Sequence, residues 1–198
     1  MTRREPDEIA RLLSAYAEAV HASPHNLLSP RGLEELSSRH IPEAVAFARG
    51  LPRTSRLLDI GSGGGLPGIV IAITRPDLEL HLMEATGKKA TFLSEVAARL
   101  ELRVTVHHGR AEELARPPLT GSFDLVTARA VAPLERLVPW AEPYLGPKGQ
   151  LHAIKGERWG EELDAARPTA ERLGLRVVAR PGRSRGDLEP LVVVLGRK

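Results

Sequence analysis

The sequence contains no cysteine, which excludes disulfide bonds, thiolate nucleophiles and cysteine-ligated zinc from its chemistry. Aromatic residues are also scarce, with three Phe, two Trp and two Tyr among 198 residues. So few scattered rings cannot form the stacking platform with which single-strand nucleic-acid binders hold bases. No apolar run approaches the ~18 residues of a transmembrane helix, and the first residues lack the apolar core of a secretory signal. We therefore expect a soluble, cytoplasmic protein that does not use a membrane.

Histidine patterns typical of metal sites are missing as well. His107 and His108 are adjacent on a predicted strand and so point to opposite faces. His21 and His25 have helical spacing, but Pro24 interrupts the face that they would share. We expect no metal site.

Charge is nearly balanced, with 28 basic and 25 acidic residues and a net charge of +3. This excess is too mild to identify a nucleic-acid binder. From Arg176 to the end, however, six basic residues stand against two acidic ones. Arginine supplies most of the cations, and its planar fork suits phosphate. The C-terminal segment can therefore face phosphates, or it can be an ordinary solvated surface of an arginine-rich chain.

The length and the apolar spacing indicate one α/β domain with a short helical extension. Helical spacing recurs up to about Pro52, which predicts an N-terminal helical extension over residues 1–52 and a single compact domain over residues 53–198. In that domain strands alternate with helices. The predicted strands are residues 56–60, 78–84, 103–108, 123–128, 149–155, 175–179 and 191–195.

Alternating strands and helices imply a parallel sheet that is covered on both faces. The last two strands are joined by a short Arg- and Gly-rich loop, which favours an antiparallel pair. We expect a helical stripe from Leu134 to Leu145, and a kink or a break at Pro168 in the following helix.

The strongest motif, Asp59-Ile-Gly61-Ser-Gly63-Gly-Gly65, follows the first strand. Glycines let backbone N–H groups approach a ligand closely, and the next helix presents its positive N-terminal end. A dinucleotide fingerprint needs a third glycine where this sequence has Leu66, which disfavours a nicotinamide-dependent dehydrogenase. An acid followed by alternating glycines is instead the pattern of S-adenosylmethionine-dependent methyltransferases. By itself, the motif could also be only a tight strand-to-helix turn.

Glu84 supports a cofactor site, because it ends the second predicted strand 23 residues after Gly61. An acid at this position can accept hydrogen bonds from both hydroxyls of a ribose. Alone, Glu84 could equally be a helix cap or a surface acid. Together with the glycine turn, it places a cofactor beyond the carboxyl ends of the strands.

Several segments complete the pattern in a fixed order along the chain. They are Asp59–Gly68, Glu84 with Lys88-Lys89 and Phe92-Leu93, Arg110–Glu112, Thr127–Ala132 and Lys155-Gly156. This succession resembles that of the bacterial small-subunit ribosomal RNA guanine-N7 methyltransferases (RsmG, also called GidB), over about residues 25–156. The resemblance implies a Rossmann-like class I S-adenosylmethionine-dependent methyltransferase fold with a mostly parallel seven-stranded sheet.

The same resemblance implies a substrate, a cofactor and the residues that hold them. The substrate is N7 of a guanine in 16S rRNA, free or in the small ribosomal subunit, and the enzyme is expected to be a monomer. Cofactor contacts are expected from Gly61, Leu66, Ala111, Glu112 and Arg129, beside Gly63, Gly65 and Glu84 of the turn and the second strand. Apart from the resemblance, the rim of the sheet and the basic C-terminal segment make Arg129, Lys155, Arg183 and Arg185 candidates for RNA contacts, and His40 is a further candidate.

Upstream of this succession, Asn26–Ser29 and Arg39-His40 also resemble family segments. The departures from the family pattern lie next to them. His25 stands where the family usually has Trp, and Glu43-Ala44 where it usually has Asp-Ser. These departures concern the surface that would face RNA more than the cofactor site.

The chemistry of guanine N7 is consistent with the absence of general-base motifs from the sequence. N7 carries a free lone pair, so methylation needs in-line geometry and no general base. No Ser-His-Asp arrangement and no Asn-Pro-Pro-Tyr segment is present. Arg129 could orient the base, contact a phosphate, hold the carboxylate of the cofactor or form only a surface salt bridge. A small-molecule methyltransferase and a non-catalytic ribosome-assembly protein that binds RNA remain alternatives.

Overall fold

One mixed sheet forms the middle layer of the protein, whose computed structural model describes residues 4–53, 56–179 and 189–197. The strands of this described part are β1 (Arg56–Ile60), β2 (Glu79–Glu84), β3 (Val104–His108), β4 (Phe123–Arg129), β5 (Leu145–Lys155), β6 (Leu175–Ala179) and β7 (Leu191–Arg197). Their order across the sheet is β3-β2-β1-β4-β5-β7-β6. Strands β1 to β5 pair in parallel, and β7 is antiparallel to both β5 and β6. The predicted mostly parallel seven-stranded sheet and its antiparallel final pair are confirmed.

Helices cover both faces of the sheet. Those in the described residues are α1 (Pro6–Ala22), α2 (Pro30–Glu34), α3 (Ile41–Arg49), α4 (Gly68–Thr74), α5 (Gly87–Arg99), α6 (Ala111–Leu114), α7 (Leu134–Ala141) and α8 (Trp159–Arg172). A π-helical turn, Leu36–His40, joins the short α2 to α3. None of these helices is both long enough and apolar enough to cross a membrane.

Strand β1 contributes buried side chains to two apolar clusters, one on each face of the sheet. Leu57 and Leu58 are wholly buried, each in a different cluster, because successive side chains of a strand point to opposite faces. Burial on both faces is the reason that this strand is a continuous apolar run. Helix α1 and the π-helical turn add Tyr16 and Leu36 to the cluster of Leu57. The boundary at residues 52 and 53 thus divides a shared core, and the division into an extension and a domain stays a prediction.

The carboxyl edge of the sheet brings the predicted site together. Strand β1 lies between β2 and β4, so the chain runs outward from β1 in both directions. Open α/β sheets bind ligands at such a switch point, beyond the carboxyl ends of the strands. Here β1 ends at Ile60, β2 at Glu84 and β4 at Arg129.

Of the kink or break predicted at Pro168, the break is wrong, because α8 continues from Trp159 to Arg172. Proline removes one backbone hydrogen bond of a helix. Pro168 is exposed, so water can solvate the carbonyl that loses its partner. Leu163, Ala166 and Ala170 bury the opposite face of α8 and hold the helix together.

Leu145 also differs from the prediction, which placed it at the end of a helical stripe. Helix α7 stops at Ala141, a 3-10 turn follows, and Leu145 is the first residue of β5. Its backbone is in register with Phe123 of β4. Apolar spacing reports that Leu145 is buried, but burial in a helix and burial in a strand look alike at a single position.

Candidate functional site

The glycine turn connects β1 to α4 through three residues in the left-handed region of the backbone. Gly61, Gly63 and Gly65 have φ angles of 68°, 57° and 102°. Residues with a side chain rarely adopt such angles, so the alternating glycines are a requirement of this turn. The turn is fixed to β2, since the amides of Gly61 and Ser62 both donate to the carbonyl of Met83.

Only one of these three glycines faces open space. A β-carbon at Gly61 would lie 2.6 Å from Val131, and one at Gly65 would lie 2.7 Å from Ile69. A β-carbon at Gly63 would have only the carbonyl oxygen of Gly61 within 4 Å, at 3.8 Å. Gly63 therefore forms a cradle in which a ligand can touch the backbone, whereas the other two glycines make room for the protein itself.

Glu84 lies at the rim of this cradle and is almost fully buried. One carboxylate oxygen accepts the amide of Gly63 and the other accepts the amide of Thr86, each at 2.8 Å. An ionised carboxylate has about four lone-pair positions, so both oxygens can accept further bonds. The structure thus adds a second task to the predicted one: Glu84 also holds the glycine turn against the start of α5.

Asp59 is the first residue of the motif, and its side chain is 1% exposed at the carboxyl end of β1. Among the residues that the structure describes, neither carboxylate oxygen has a well-formed hydrogen bond. Burial raises the pKa of Asp59 to about 7, against the opposing effect of the nearby Ser62 hydroxyl and Gly68 amide. An unpartnered buried acid next to a ligand cradle is a feature that a cationic ligand would stabilise.

The remaining predicted cofactor residues line two sides of the turn. The amide of Gly109 donates to the carbonyl of Glu84, which brings the segment before α6 beside the cradle. At the start of α6, directly after that segment, Ala111 is buried and Glu112 is exposed. The side chain of Leu66 is buried in the apolar cluster next to α4, so only its backbone is suited to contact a ligand.

Arg129 and His40, two predicted RNA contacts, bond to each other. The Arg129 guanidinium donates to Nδ1 of His40 at 2.6 Å and lies 3.3 Å from the Glu43 carboxylate. Burial and the neighbouring Arg129 lower the pKa of His40, so the imidazole is neutral and can accept this bond. The sequence prediction missed Glu43, because no local pattern links it to an arginine 86 positions later.

The ammonium group of Lys155 is paired with other groups of the protein. Its ammonium lies 2.6 Å from the Glu162 carboxylate and donates to the carbonyl of Ala132, and its side chain is only 7% exposed. Glu162 also accepts the amide of Leu134 at the start of α7. This pair holds the loop after β4, and a phosphate would have to displace Glu162 to reach Lys155. The other two predicted RNA contacts, Arg183 and Arg185, lie outside the described residues.

A cavity of about 690 Å³ opens next to the glycine turn, at the carboxyl ends of β4 and β5 and the amino end of the antiparallel β7. Its wall includes the loop over residues 130–133, and Val131 of this loop packs against Gly61. Its charged lining is Arg39, Glu43, Arg129, Lys155, Glu157, Glu162 and Glu189. In the described part of the chain, no group of three or more metal-ligating side chains is placed to hold a metal. The edge thus offers a cradle over β1 and β2 and a polar cavity beside it.

Comparison with known families matches residues 9–188 to the GidB family, described as rRNA small subunit methyltransferase G. A ribosomal RNA small subunit methyltransferase G from Mycolicibacterium paratuberculosis is 45% identical over 77% of this chain and 62% of the relative. A protein of the same name from Mycobacterium marinum is 38% identical over 94% of this chain and 83% of the relative. The chain spans less than two thirds of the length of the first of these relatives.

Solved structures share the fold. The complex of M. jannaschii TYW2 with AdoMet superimposes with a TM-score of 0.61 at 17% identity, covering 85% of this chain and 76% of the other. A TehB-like SAM-dependent methyltransferase from Corynebacterium glutamicum superimposes with a TM-score of 0.63 at 18% identity, covering 93% and 100%. The fold is the Rossmann-like class I fold of S-adenosylmethionine-dependent methyltransferases, as predicted.

Proposed function

Because the chain belongs to the GidB family of rRNA small subunit methyltransferases, we propose that it transfers a methyl group from S-adenosyl-L-methionine to N7 of a guanine in 16S rRNA. The observation that carries the proposal is the cradle at Gly63, which faces open space while its amide is held by Glu84. A backbone surface bounded by a buried acid suits a ligand with a ribose and a positive charge.

The residues of the cradle fit the proposed cofactor. Glu84 keeps lone pairs for two ribose hydroxyls while it holds the amides of Gly63 and Thr86. Asp59 supplies negative charge behind the turn, which complements a cationic ligand. We assign the cofactor contacts to Gly61, Gly63, Gly65, Leu66, Glu84, Ala111, Glu112 and Arg129.

The proposed chemistry asks the protein for orientation and for exclusion of water. S-adenosylmethionine supplies a methyl group on a positively charged sulfur, which the lone pair of guanine N7 can attack without first losing a proton. The loop that carries Val131 borders both the cradle and the polar cavity, so a base bound in that cavity would lie beside the cofactor. Glu162 and Lys155 fix this loop from behind. No side chain is needed as a general base.

We propose 16S rRNA, free or in the small subunit, as the partner of a monomeric enzyme. Arg129 lines the cavity and bonds to His40, and from there it could meet the base or its phosphate. Lys155, Arg183 and Arg185 remain RNA-contact candidates, Lys155 only after release from Glu162. Each neutralised phosphate releases condensed counterions, so RNA affinity should fall steeply with salt.

Deletion of the gene should remove one N7-methylguanosine from 16S rRNA. The modified nucleotides are mapped by mass spectrometry in cells with and without the gene, and purified protein with S-adenosylmethionine should restore the missing mark on rRNA or on small subunits. An unchanged map, with methyl transfer to a small molecule instead, would favour a small-molecule methyltransferase of the same fold. Binding of RNA without any methyl transfer would favour a ribosome-assembly protein.

Replacing Glu84 with alanine should weaken the binding of S-adenosylmethionine by about 2 kcal/mol, or roughly thirtyfold. The variant loses the carboxylate proposed to hold the ribose and also frees the amide of Gly63. Titration calorimetry measures the change. Glu95→Ala, which removes an exposed acid from α5, serves as the matched control and should bind normally. NADH should not bind, and tight NADH binding by the native protein would instead indicate a dehydrogenase.

A further inference from the structure

The chain contains two tyrosines, and both are buried with the hydroxyl bonded to a backbone carbonyl. Tyr16 on α1 and Tyr144 in the 3-10 turn before β5 are each 0% exposed. The hydroxyl of Tyr16 donates to the carbonyl of Gly64 at 2.8 Å, and that of Tyr144 donates to the carbonyl of Ala111. Gly64 lies in the glycine turn and Ala111 in the segment beside Glu84. Each tyrosine therefore bonds one of the two backbone segments that border the cradle.

The hydroxyls, and not only the rings, matter at these positions. Phenylalanine would fill the same space without a polar atom, whereas a buried hydroxyl costs free energy unless it is hydrogen-bonded. Tyr16 reaches the turn from 48 residues upstream, and its oxygen would lie 3.2 Å from a β-carbon at Gly65. Burial raises the pKa of Tyr16 well above its usual range and that of Tyr144 to about 12, so both hydroxyls stay protonated donors.

These segments are bonded to β2 through Met83 and Glu84, and the tyrosines add bonds to α1 and to the 3-10 turn before β5. Three glycines give the turn wide conformational freedom in the unfolded chain, and ordering a glycine costs more backbone entropy than ordering any other residue. A bond formed before the ligand arrives lowers the ordering cost of binding. Helix α6, which follows Arg110, has only four residues and needs support from outside itself.

We propose that Tyr16 and Tyr144 are positioning residues, which hold the glycine turn and the Ala111 segment in the geometry that binds the cofactor. This inference rests on the proposed function, since it assumes that the cradle takes S-adenosylmethionine. It makes α1 a wall of the cofactor site rather than a separate extension. Neither hydroxyl needs to touch the ligand, because each acts through a backbone carbonyl.

Tyr16→Phe and Tyr144→Phe should each raise the Kd for S-adenosylhomocysteine by roughly five- to tenfold. Both variants keep the ring and lose only the donor, so the fold is retained. In methylation assays the KM for S-adenosylmethionine should rise by the same factor, with kcat unchanged at saturation. Hydrogen exchange should also accelerate locally, at residues 61–65 in Tyr16→Phe and at residues 109–112 in Tyr144→Phe.

Thr74→Val is the matched control, because it removes a hydroxyl that donates to the carbonyl of Val70 at the far end of α4. It should lower the melting temperature and leave the Kd unchanged. If the native protein binds no S-adenosylhomocysteine, the proposed function fails. If the native protein binds it and both Phe variants bind it equally well, the positioning role alone is wrong.

A second measurement uses the native sequence and does not depend on the variants folding. Growth on 3-fluorotyrosine labels the two tyrosines, so the protein should show two fluorine resonances. Titration with S-adenosylhomocysteine should shift both resonances, since both hydroxyls bond carbonyls of segments that would contact the ligand. Saturating ligand that moves neither resonance would overturn the proposal.

Discussion

Gly63→Val should reduce the affinity for S-adenosylmethionine by about 100-fold or more, roughly 3 kcal/mol. The β-carbon at this position points into open space, so the protein has room for valine but the ligand does not. The amide of residue 63 can still donate to Glu84, and the loss therefore comes from the filled cradle. Titration calorimetry with S-adenosylmethionine and with S-adenosylhomocysteine measures the change.

Valine at a positive φ also strains the backbone, and this strain needs its own control. Gly121 has a φ of 66° with nothing within 4 Å of its β-carbon, in the turn before β4. Gly121→Val therefore carries the same strain away from the cradle and should lower stability without changing the Kd. Gly63→Ala, with a smaller side chain, should give an intermediate loss. A folded Gly63→Val variant that binds as tightly as the native protein would remove the cofactor site from this turn.

The features that sequence could predict are those set by local pattern. Left-handed glycines and strand alternation depend on a few neighbouring residues, so the turn at Gly61–Gly65 and the seven strands were predictable. Glu84 was predictable as well, because its place at the end of β2 follows from strand length. Its bonds to Gly63 and Thr86 agree with a role at the cradle, while its contact with a cofactor stays a prediction.

The features that sequence could not predict are contacts between distant residues. Tyr16 looks like any other apolar position of an amphipathic helix, and only the packing of α1 on α4 brings its hydroxyl to Gly64. Lys155 was predicted to contact RNA, but α8 places Glu162 against it. Apolar spacing reports which side chains are buried without saying which polar groups they meet.

The second large effect is expected from Asp59, whose charge the fold tolerates poorly. Between pH 4.5 and pH 8, the native protein should lose roughly 3 kcal/mol of stability relative to Asp59→Asn. Burial raises the pKa of Asp59 to about 7, whereas an aspartate in an unfolded chain titrates near 4. Chemical denaturation of both proteins without cofactor, at a series of pH values, measures the difference.

The direction of this effect follows from proton binding. Between pH 4 and pH 7, Asp59 is protonated in the folded protein and ionised in the unfolded chain. The folded state therefore binds more protons, and its stability falls as the pH rises through this window. Above pH 7 the carboxyl is ionised in both states, and the difference becomes constant. Asparagine cannot ionise, so the variant lacks this loss.

Asp124→Asn tests whether the effect belongs to the buried position. Asp124 is an exposed acid of β4 whose carboxylate accepts the amide of Arg56, and its neutralisation removes one charge without touching the cradle. This control should show the same pH dependence as the native protein. Saturating S-adenosylmethionine should reduce the pH dependence caused by Asp59, because a cation bound nearby favours the carboxylate and lowers its pKa. If Asp59→Asn and the native protein lose stability in parallel from pH 4.5 to pH 8, Asp59 does not carry a raised pKa. The negative charge of Asp59 behind the glycine turn would then not destabilise the folded protein, and a bound cofactor would have no such destabilisation to offset.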